Sequence, residues 1–309
     1  MKNIKRTVTI GIPAHNEENN IGLLLESILR QRQGSYKLEK IIVVCDGCRD
    51  KTAKIVRQFS KSNKAILLVN DGKRLGKGER INQLFQITNS DIFINFDADI
   101  TLPDTETIAK MVKGLSDPKV GIVNVKNTPL APTTLTEKLA NVYECFWYEV
   151  TRNINDGNNV HNSTGTAYAI RKELFKKVTL EHWAVAEDHY LYFECVKNGF
   201  TFKFIKSTEV FYRLPNNLSD YIKQQSRWTL SKKKLEDNLE DWTSKHYSIP
   251  RNTKYKAYMY MFLKQPIMMP LATVIQLLMR IYKFRYVNSN NPAWEPIKSS
   301  KRMNLTTLR

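Results

Sequence analysis

The chain has 309 residues, 42% hydrophobic and 25% charged, with four cysteines and a formal net charge of +18. This is ordinary globular composition, enough for one large α/β domain with an appendage or for two small domains. Four cysteines over this length exclude a secreted disulfide scaffold and point to a reducing compartment. The opening MKNIKRTVTIGIPAHNEE has no apolar run long enough for a signal peptide, so a cytosolic catalytic face is expected.

In chain order, Val8 to Pro13 reads as a strand stopped by proline. Glu17 to Arg30 sets Ile21, Leu24, Leu25, Ile28 and Leu29 on one helical face. Ile41 to Cys45 is a second, apolar strand, and Asp50 can cap the helix that carries Ala53, Ile55, Val56 and Phe59. Ala65 to Val69 is a third strand, followed by glycine-rich punctuation and a helix from about Glu79 to Ile87. Asp91 to Phe96 and Val120 to Val125 complete five strands. Such alternation predicts βαβ units and a mainly parallel sheet flanked by helices. Polar residues collect after each strand, at Asn16-Glu17, Asp46, Asp71 to Lys77 and Asp97 to Asp99. Open α/β sheets bind ligands beyond the carboxyl ends of their strands, so these loops are expected to converge on one cleft. Farther on, Thr134 to Ile154 and Ser219 to Asn238 read as helices and Thr201 to Ile205 as a strand.

Four stretches carry chemistry. F-D-A-D-I at Phe96 to Ile100 offers carboxylates two residues apart, which on extended backbone can share a hard cation such as Mg²⁺ or Mn²⁺. Taken alone, it reads more readily as a polar strand end with an Asp-rich turn. The loop Asn70 to Asn82 places Lys73, Arg74, Lys77 and Arg80 among three glycines before a helix, an arrangement that suits a phosphate. It lacks the Walker spacing, and a basic surface loop is the plainer alternative. Glu187-Asp188 could supply a general base, or could be an acid pair favoured by a helix N-terminus. In Q-Q-S-R-W at Gln224 to Trp228, Trp228 could stack on a sugar and Arg227 could meet phosphate oxygens. A half-buried Trp beside a surface Arg would look the same.

As an ordered set over roughly residues 7 to 230, these stretches resemble the inverting glycosyltransferases of family 2, which have the GT-A fold. I-P-A-H-N-E-E at Ile12 to Glu18 is similar to the family's opening strand and nucleotide loop. D-G-C-R-D at Asp46 to Asp50 is similar to its D-G-S-x-D, and G-K-G-E-R-I-N at Gly76 to Asn82 to its G-K-A-x-A-x-N. D-A-D at Asp97 to Asp99 is similar to its D-x-D. S-T-G-T-A-Y-A-I-R at Ser163 to Arg171 is similar to the segment that lines the sugar and acceptor pocket. Glu187-Asp188 is similar to the catalytic E-D, and Gln224 to Trp228 to the Q-x-x-R-W of the processive branch.

The resemblance implies that Asp46 binds base and ribose with Pro13, Ala14 and Glu17, while Lys77 and Asn82 support the nucleotide or its phosphates. It implies that Asp97 and Asp99 hold the metal, that Gly165 and Thr166 line the substrate pocket, and that Asp188 is the general base beside Glu187. It gives Arg227 the diphosphate and places Gln224 and Trp228 at the acceptor. The implied partners are a nucleotide-diphosphate sugar, UDP-linked by preference, and a glycan or lipid-linked acceptor. Departures from the family pattern are Cys48 in place of Ser, Gly78 in place of Ala, and the absence of a multi-helix channel after Q-x-x-R-W. A nucleotidyltransferase would need a G-x-G-x-R-type signature near the first strand, which is missing. A nucleic-acid-binding protein would interleave its charge with exposed aromatics, whereas here carboxylates cluster in the expected cleft. No nucleic-acid partner is therefore expected.

Residues 251 to 309 hold eleven Lys/Arg against a single acid, Glu295. Ala257 to Leu263 and Pro266 to Met279 are strongly apolar, but Lys264, Pro266 and Pro270 interrupt them, and both flanks are basic. That pattern favours an in-plane attachment of residues 254–309 to an anionic membrane over a spanning helix, with a plain helical subdomain as the bland alternative. The expected division is a catalytic domain at 1–240 and a basic, apolar helical appendage at 241–309, peripheral on the cytoplasmic face. The C-x-x-C at Cys45 and Cys48 finds no second ligand pair for zinc, because Cys145 and Cys195 are isolated. A redox dithiol would open a helix directly after a strand, as this loop does, so thiol chemistry stays open, but the surrounding motifs favour two incidental cysteines around a functional Asp46.

Overall fold

A computed structural model describes residues 5–239, 241–286 and 297–301. The chain divides into two compact units, Met1–Thr128 with Ser163–Tyr212, and Pro129–Asn162 with Arg213–Arg309. The segment expected as the appendage lies wholly in the second unit, together with the earlier helix around residues 135–151.

Strand and helix alternate through the first unit: β1 (Arg6–Ala14), α1 (Ile21–Leu29), β2 (Tyr36–Cys45), α2 (Thr52–Ser62), β3 (Ile66–Val69), α3 (Lys77–Ile87) and β4 (Ile92–Phe96). After them come β5 (Ile100–Thr101), α4 (Thr107–Gly114) and β6 (Val120–Pro129). The chain leaves for the second unit through α5 (Leu135–Thr151) and returns as β7 (Ala167–Arg171), α6 (Lys172–Phe175), α7 (Glu187–Lys197) and β8 (Thr201–Tyr212).

The sheet order is β3-β2-β1-β4-β7-β6-β8-β5. β3, β2, β1 and β4 run parallel, as the βαβ reading expects. β7 then inserts antiparallel between β4 and β6. The strand cores are continuous apolar runs because helices cover both faces: all five residues of β4 and all five of β7 are buried. Ile10, Ile12, Val43, Ile94, Phe96 and Val123 belong to one buried cluster with Leu24, Leu25 and Ile28 of α1.

β7 is the main element that the strand count omits, because the resemblance of S-T-G-T-A-Y-A-I-R to a pocket-lining segment masks its strand half. Its Ala167–Arg171 half is a strand, while Ser163 to Thr166 is the loop in front of it.

The second unit is helical. In α5 a capping box joins Thr134 and Glu137, and Arg213 Nε donates to Glu137 Oε1 at 3.1 Å. α8 (Leu218–Asn238), α9 (Arg251–Lys264) and α10 (Met268–Tyr286) complete it. Gln276 of α10 donates to the buried Tyr221 hydroxyl of α8 at 2.6 Å. Of the basic 251–309 stretch, Glu295, Arg302, Arg309 and the side chains of Arg280, Lys283, Arg285 and Lys298 lie outside the described residues.

Candidate active site

The first unit brings the four post-strand loops together. Asp46, at the end of β2, accepts from the amides of Leu75 at 2.6 Å and Gly76 at 3.1 Å. Gly76 has φ +94°, a conformation that glycine adopts without strain, and it opens α3. Asp46 therefore fastens the glycine-rich loop to the neighbouring strand end.

Arg80 departs from the expectation of a phosphate-facing cation. Its side chain is fully buried, with Nε 3.0 Å from Asp46 and both terminal nitrogens 2.8 Å from the Asp71 carboxylate. These two carboxylates hold the guanidinium above its ordinary pKa, the hydrogen bond to Asp71 contributing most. A buried arginine needs such partners, and the loop's own acids supply them.

Beside this knot, His15, Asn16, Gly47, Arg49, Gly72 and Arg74 line a cleft of about 340 Å³. His15 Nδ1 is 2.6 Å from the Asp46 carbonyl, which fixes it as the donor, and Nε2 meets Arg74. Asn16 sits at φ +54°, unusual for a residue with a Cβ, and its side chain accepts from the Arg49 amide at 2.8 Å. Two guanidinium groups and no lining carboxylate make this cleft a place for carbonyl and phosphate oxygens.

The remaining expected nucleotide residues lie around the same strand ends. Pro13 and Ala14 close β1, and the Ala14 carbonyl accepts from the Asp46 amide at 2.8 Å. Glu17 is buried and takes a hydrogen bond from Asn20 at 2.9 Å. Asn82 is paired in both directions with the Leu180 backbone, at 2.9 and 2.8 Å, so here it clamps α3 to the segment before α7.

Lys77, the first residue of α3, joins two acidic motifs far apart in sequence. Its Nζ lies 2.7 Å from Asp97 Oδ1 and 2.6 Å from Glu187 Oε1, and donates to the Gly165 carbonyl at 3.2 Å. Burial, the largest influence, would lower its pKa, but the Asp97 and Glu187 carboxylates carry it well above the ordinary lysine value. Burial raises the pKa of both Asp97 and Glu187, with Lys77 opposing the rise and the neighbouring acids adding to it.

Asp188 is oriented by backbone. Its Oδ2 accepts from the Gly165 amide at 2.9 Å and its Oδ1 from the His189 amide at 2.8 Å. Ser163 Oγ donates to the Asp188 carbonyl at 2.9 Å. Glu187-Asp188 also opens α7, so the helix-dipole reading and the clustering with the D-x-D acids hold together. The Asp97 amide donates to the Thr166 carbonyl at 2.9 Å, tying the D-x-D to the same loop.

Asparagines absent from the sequence reading support that loop from below. Asn95 of β4 donates to the Gly165 carbonyl at 2.9 Å, and Asn124 of β6 to the Thr164 carbonyl at 2.7 Å. Asn127 donates to the hydroxyls of Thr164 and Thr166, each at 3.0 Å. Asn95 and Asn124 both face Tyr168 across the sheet in register. The signal was available: an asparagine inside I-F-I-N-F or V-G-I-V-N-V is costly to bury unless it holds something.

The acids fit a divalent cation in the manner of a shared site. Asp97, Asp99, Glu187 and Asp188 gather hard oxygen donors around the one lysine, Lys77, while burial raises the pKa of Asp97 and Glu187. Among the described residues no group of three or more His, Cys, Asp or Glu is arranged to hold a metal by itself. Such an ion would need further oxygens from a diphosphate and water, as Mg²⁺ and Mn²⁺ commonly do.

The cysteine pair is in contact: the Cys45 thiol hydrogen-bonds Cys48, lowering Cys48 to about 7 and raising Cys45. Cys48 Sγ also donates to the Ala14 carbonyl at 3.2 Å, and all four cysteines are free. Gln224, Arg227 and Trp228 lie on α8 of the second unit, Trp228 being 51% exposed. The Gln224 side-chain oxygen is buried without a hydrogen-bond partner.

An alternating α/β unit with acids and a lysine gathered at its strand ends places the candidate site where open α/β sheets bind ligands. Residues 9–179 match glycosyl transferase family 2, and the chain belongs to that family. It is 31% identical over 232 residues to the probable glycosyltransferase YdaM of Bacillus subtilis, covering 72% of this chain and 54% of that protein. The chain thus spans about half the length of that relative. The fold is similar to the mannosyltransferase PcManGT from Pyrobaculum calidifontis in complex with GDP-Man and Mn²⁺ (TM-score 0.60, 20% identity, 90% of this chain, 76% of that one). It is also similar to glucosyl-3-phosphoglycerate synthase from Mycobacterium tuberculosis in complex with Mn²⁺, UDP and phosphoglyceric acid (TM-score 0.52, 18% identity, 76% of this chain, 80% of that one).

Proposed function

We propose that the chain transfers a sugar from a nucleotide-diphosphate sugar to a hydroxyl of a glycan or lipid-linked acceptor, with inversion at the anomeric carbon. The observation that carries this reading is the cluster in which Lys77 bridges Asp97 and Glu187 while Gly165 orients Asp188. Asp188 takes the acceptor proton as the acceptor oxygen bonds to the anomeric carbon. The bond from that carbon to the phosphate oxygen breaks, and its electron pair leaves with the nucleoside diphosphate. One displacement of this kind inverts the centre and needs no enzyme nucleophile.

Asp97 and Asp99 are the residues that would hold a divalent cation. A cation held there would supply positive charge to offset the charge that grows on the departing diphosphate. Lys77 is placed to follow that charge, since one ammonium already serves two carboxylates. The cleft at His15, Asn16 and Arg74 takes the base and ribose, with a UDP-sugar as the first candidate donor. Arg227 and Trp228 keep the roles that the Q-x-x-R-W resemblance implies, for diphosphate and acceptor. The reading includes peripheral attachment at the cytoplasmic face of a membrane, where a lipid-linked acceptor would be presented.

Calorimetric titration of UDP and GDP, with Mn²⁺ or with chelator, tests the donor site. Binding should need the metal and fall at least tenfold in Asp99→Asn. Equal affinity with chelator, or no binding of either nucleotide, would count against the reading.

A further inference from the structure

α9 and α10 pack on α5 along one side only. A buried cluster joins Leu139 and Val142 of α5 to Met261 of α9 and to Met269 and Ala272 of α10. On each helix the residues pointing the opposite way are apolar and exposed. On α9 these are Tyr255, Met259 and Leu263, four residues apart and hence on one face. On α10 they are Leu271, Val274 and Leu278, again one face by their spacing of three and four. Leu263 is 76% exposed, and Ile267, in the connection, is 78% exposed. A helix at an ordinary protein surface turns charge outward from its buried stripe. α10 is apolar on both sides.

The charges that α9 and α10 themselves carry are of one sign, and the nearby acid Glu149 of α5 is paired with Arg152. Arg251, Lys254, Lys256 and Lys264 are exposed, and residues 251–286 contain no Asp or Glu. The Lys264 ammonium lies 4.5 Å from the centre of the half-exposed Tyr260 ring, which keeps a cation beside the apolar stripe. From this we infer that α9 and α10 form a docking face for an anionic lipid surface, lying in its plane with the Leu263–Ile267 corner immersed. A second copy of the chain is the poorer occupant, because two such faces would oppose cation to cation. Among the described residues no helix is long and apolar enough to cross a bilayer. The face rests on, and specifies, the peripheral attachment proposed above.

The test is co-sedimentation of the full chain with vesicles of phosphatidylcholine alone and of phosphatidylcholine with phosphatidylglycerol. No sugar donor is present, so the outcome is independent of the transferase reading. Binding should be at least tenfold stronger to the anionic vesicles and weaken with salt. The double variant Leu263→Glu/Ile267→Glu and the charge variant Lys254→Glu/Lys256→Glu should each lose at least tenfold. All four positions are exposed, and unchanged circular dichroism checks that the fold is kept. Failure of the unaltered chain to bind either vesicle would overturn the inference. So would equal binding by all variants, or a concentration-dependent dimer that the Leu263→Glu/Ile267→Glu variant dissolves.

Discussion

The Gly165 amide holds Asp188 Oδ2 at 2.9 Å, so the carboxylate proposed as the base is set by backbone rather than by a movable side chain. The same glycine is crowded on its other side. A Cβ there would lie 2.6 Å from Glu187 Oε1 and 2.8 Å from Lys77 Nζ. Both are ends of flexible side chains, so Gly165→Ala should fold and displace them. We expect turnover to fall about 100-fold while the thermal midpoint moves by no more than about 2 °C. Steady-state kinetics beside a melting curve separates the two effects.

Lys77 pairs with two carboxylates, at 2.7 and 2.6 Å. Lys77→Met leaves them repelling each other and open to another cation. Mn²⁺ binding without nucleotide should tighten a few-fold by Coulomb attraction, while kcat/KM falls by about 100-fold or more. Manganese titration followed by paramagnetic relaxation, alongside kinetics, reads both.

Asp46 and Cys48 are neighbours with unequal roles. Asp46→Ala removes the acceptor for Leu75, Gly76 and the buried Arg80, and should cost about 2–4 kcal/mol of stability as well as nucleotide affinity. Cys48→Ser keeps a donor toward the Ala14 carbonyl and should leave activity within about two-fold. Denaturant melts and nucleotide titration on the two variants check the contrast.

Glu144 on α5 gives the second unit a pH signature. Burial pushes its carboxyl from the ordinary 4.5 up to about 7. The folded form therefore holds a proton that the unfolded chain has lost, so stability declines as pH rises from about 4.5 through about 7. Glu144→Gln should flatten that decline and stabilise the protein by roughly 1–2 kcal/mol at pH 8. Thermal melts across pH 4.5 to 8 measure it.

The parallel strands and the convergence of their loops were legible because apolar runs and post-strand polar clusters are local patterns. Asp46, Lys77, Asp97, Glu187 and Asp188 stand out by motif. The partnerships among them do not, since Lys77 meets Glu187 across 110 residues of chain. Arg80 is not legible in the sequence, because a cation in a glycine-rich loop looks phosphate-facing and only the fold reveals that Asp71 and Asp46 enclose it. Asn95, Asn124 and Asn127 escaped notice because single asparagines form no motif. Their work depends on the Ser163–Thr166 loop passing overhead.

The central claim is that this cluster cleaves a nucleotide-sugar bond with Asp188 as base. Nucleotide release from a panel of UDP- and GDP-sugars, with Mn²⁺ or Mg²⁺, tests it most directly when wild type is compared with Asp188→Asn. The account predicts metal-dependent release by wild type, and at least about 100-fold slower release by Asp188→Asn with nucleotide affinity unchanged. Release at the same rate by Asp188→Asn, or undiminished release in chelator, would contradict it.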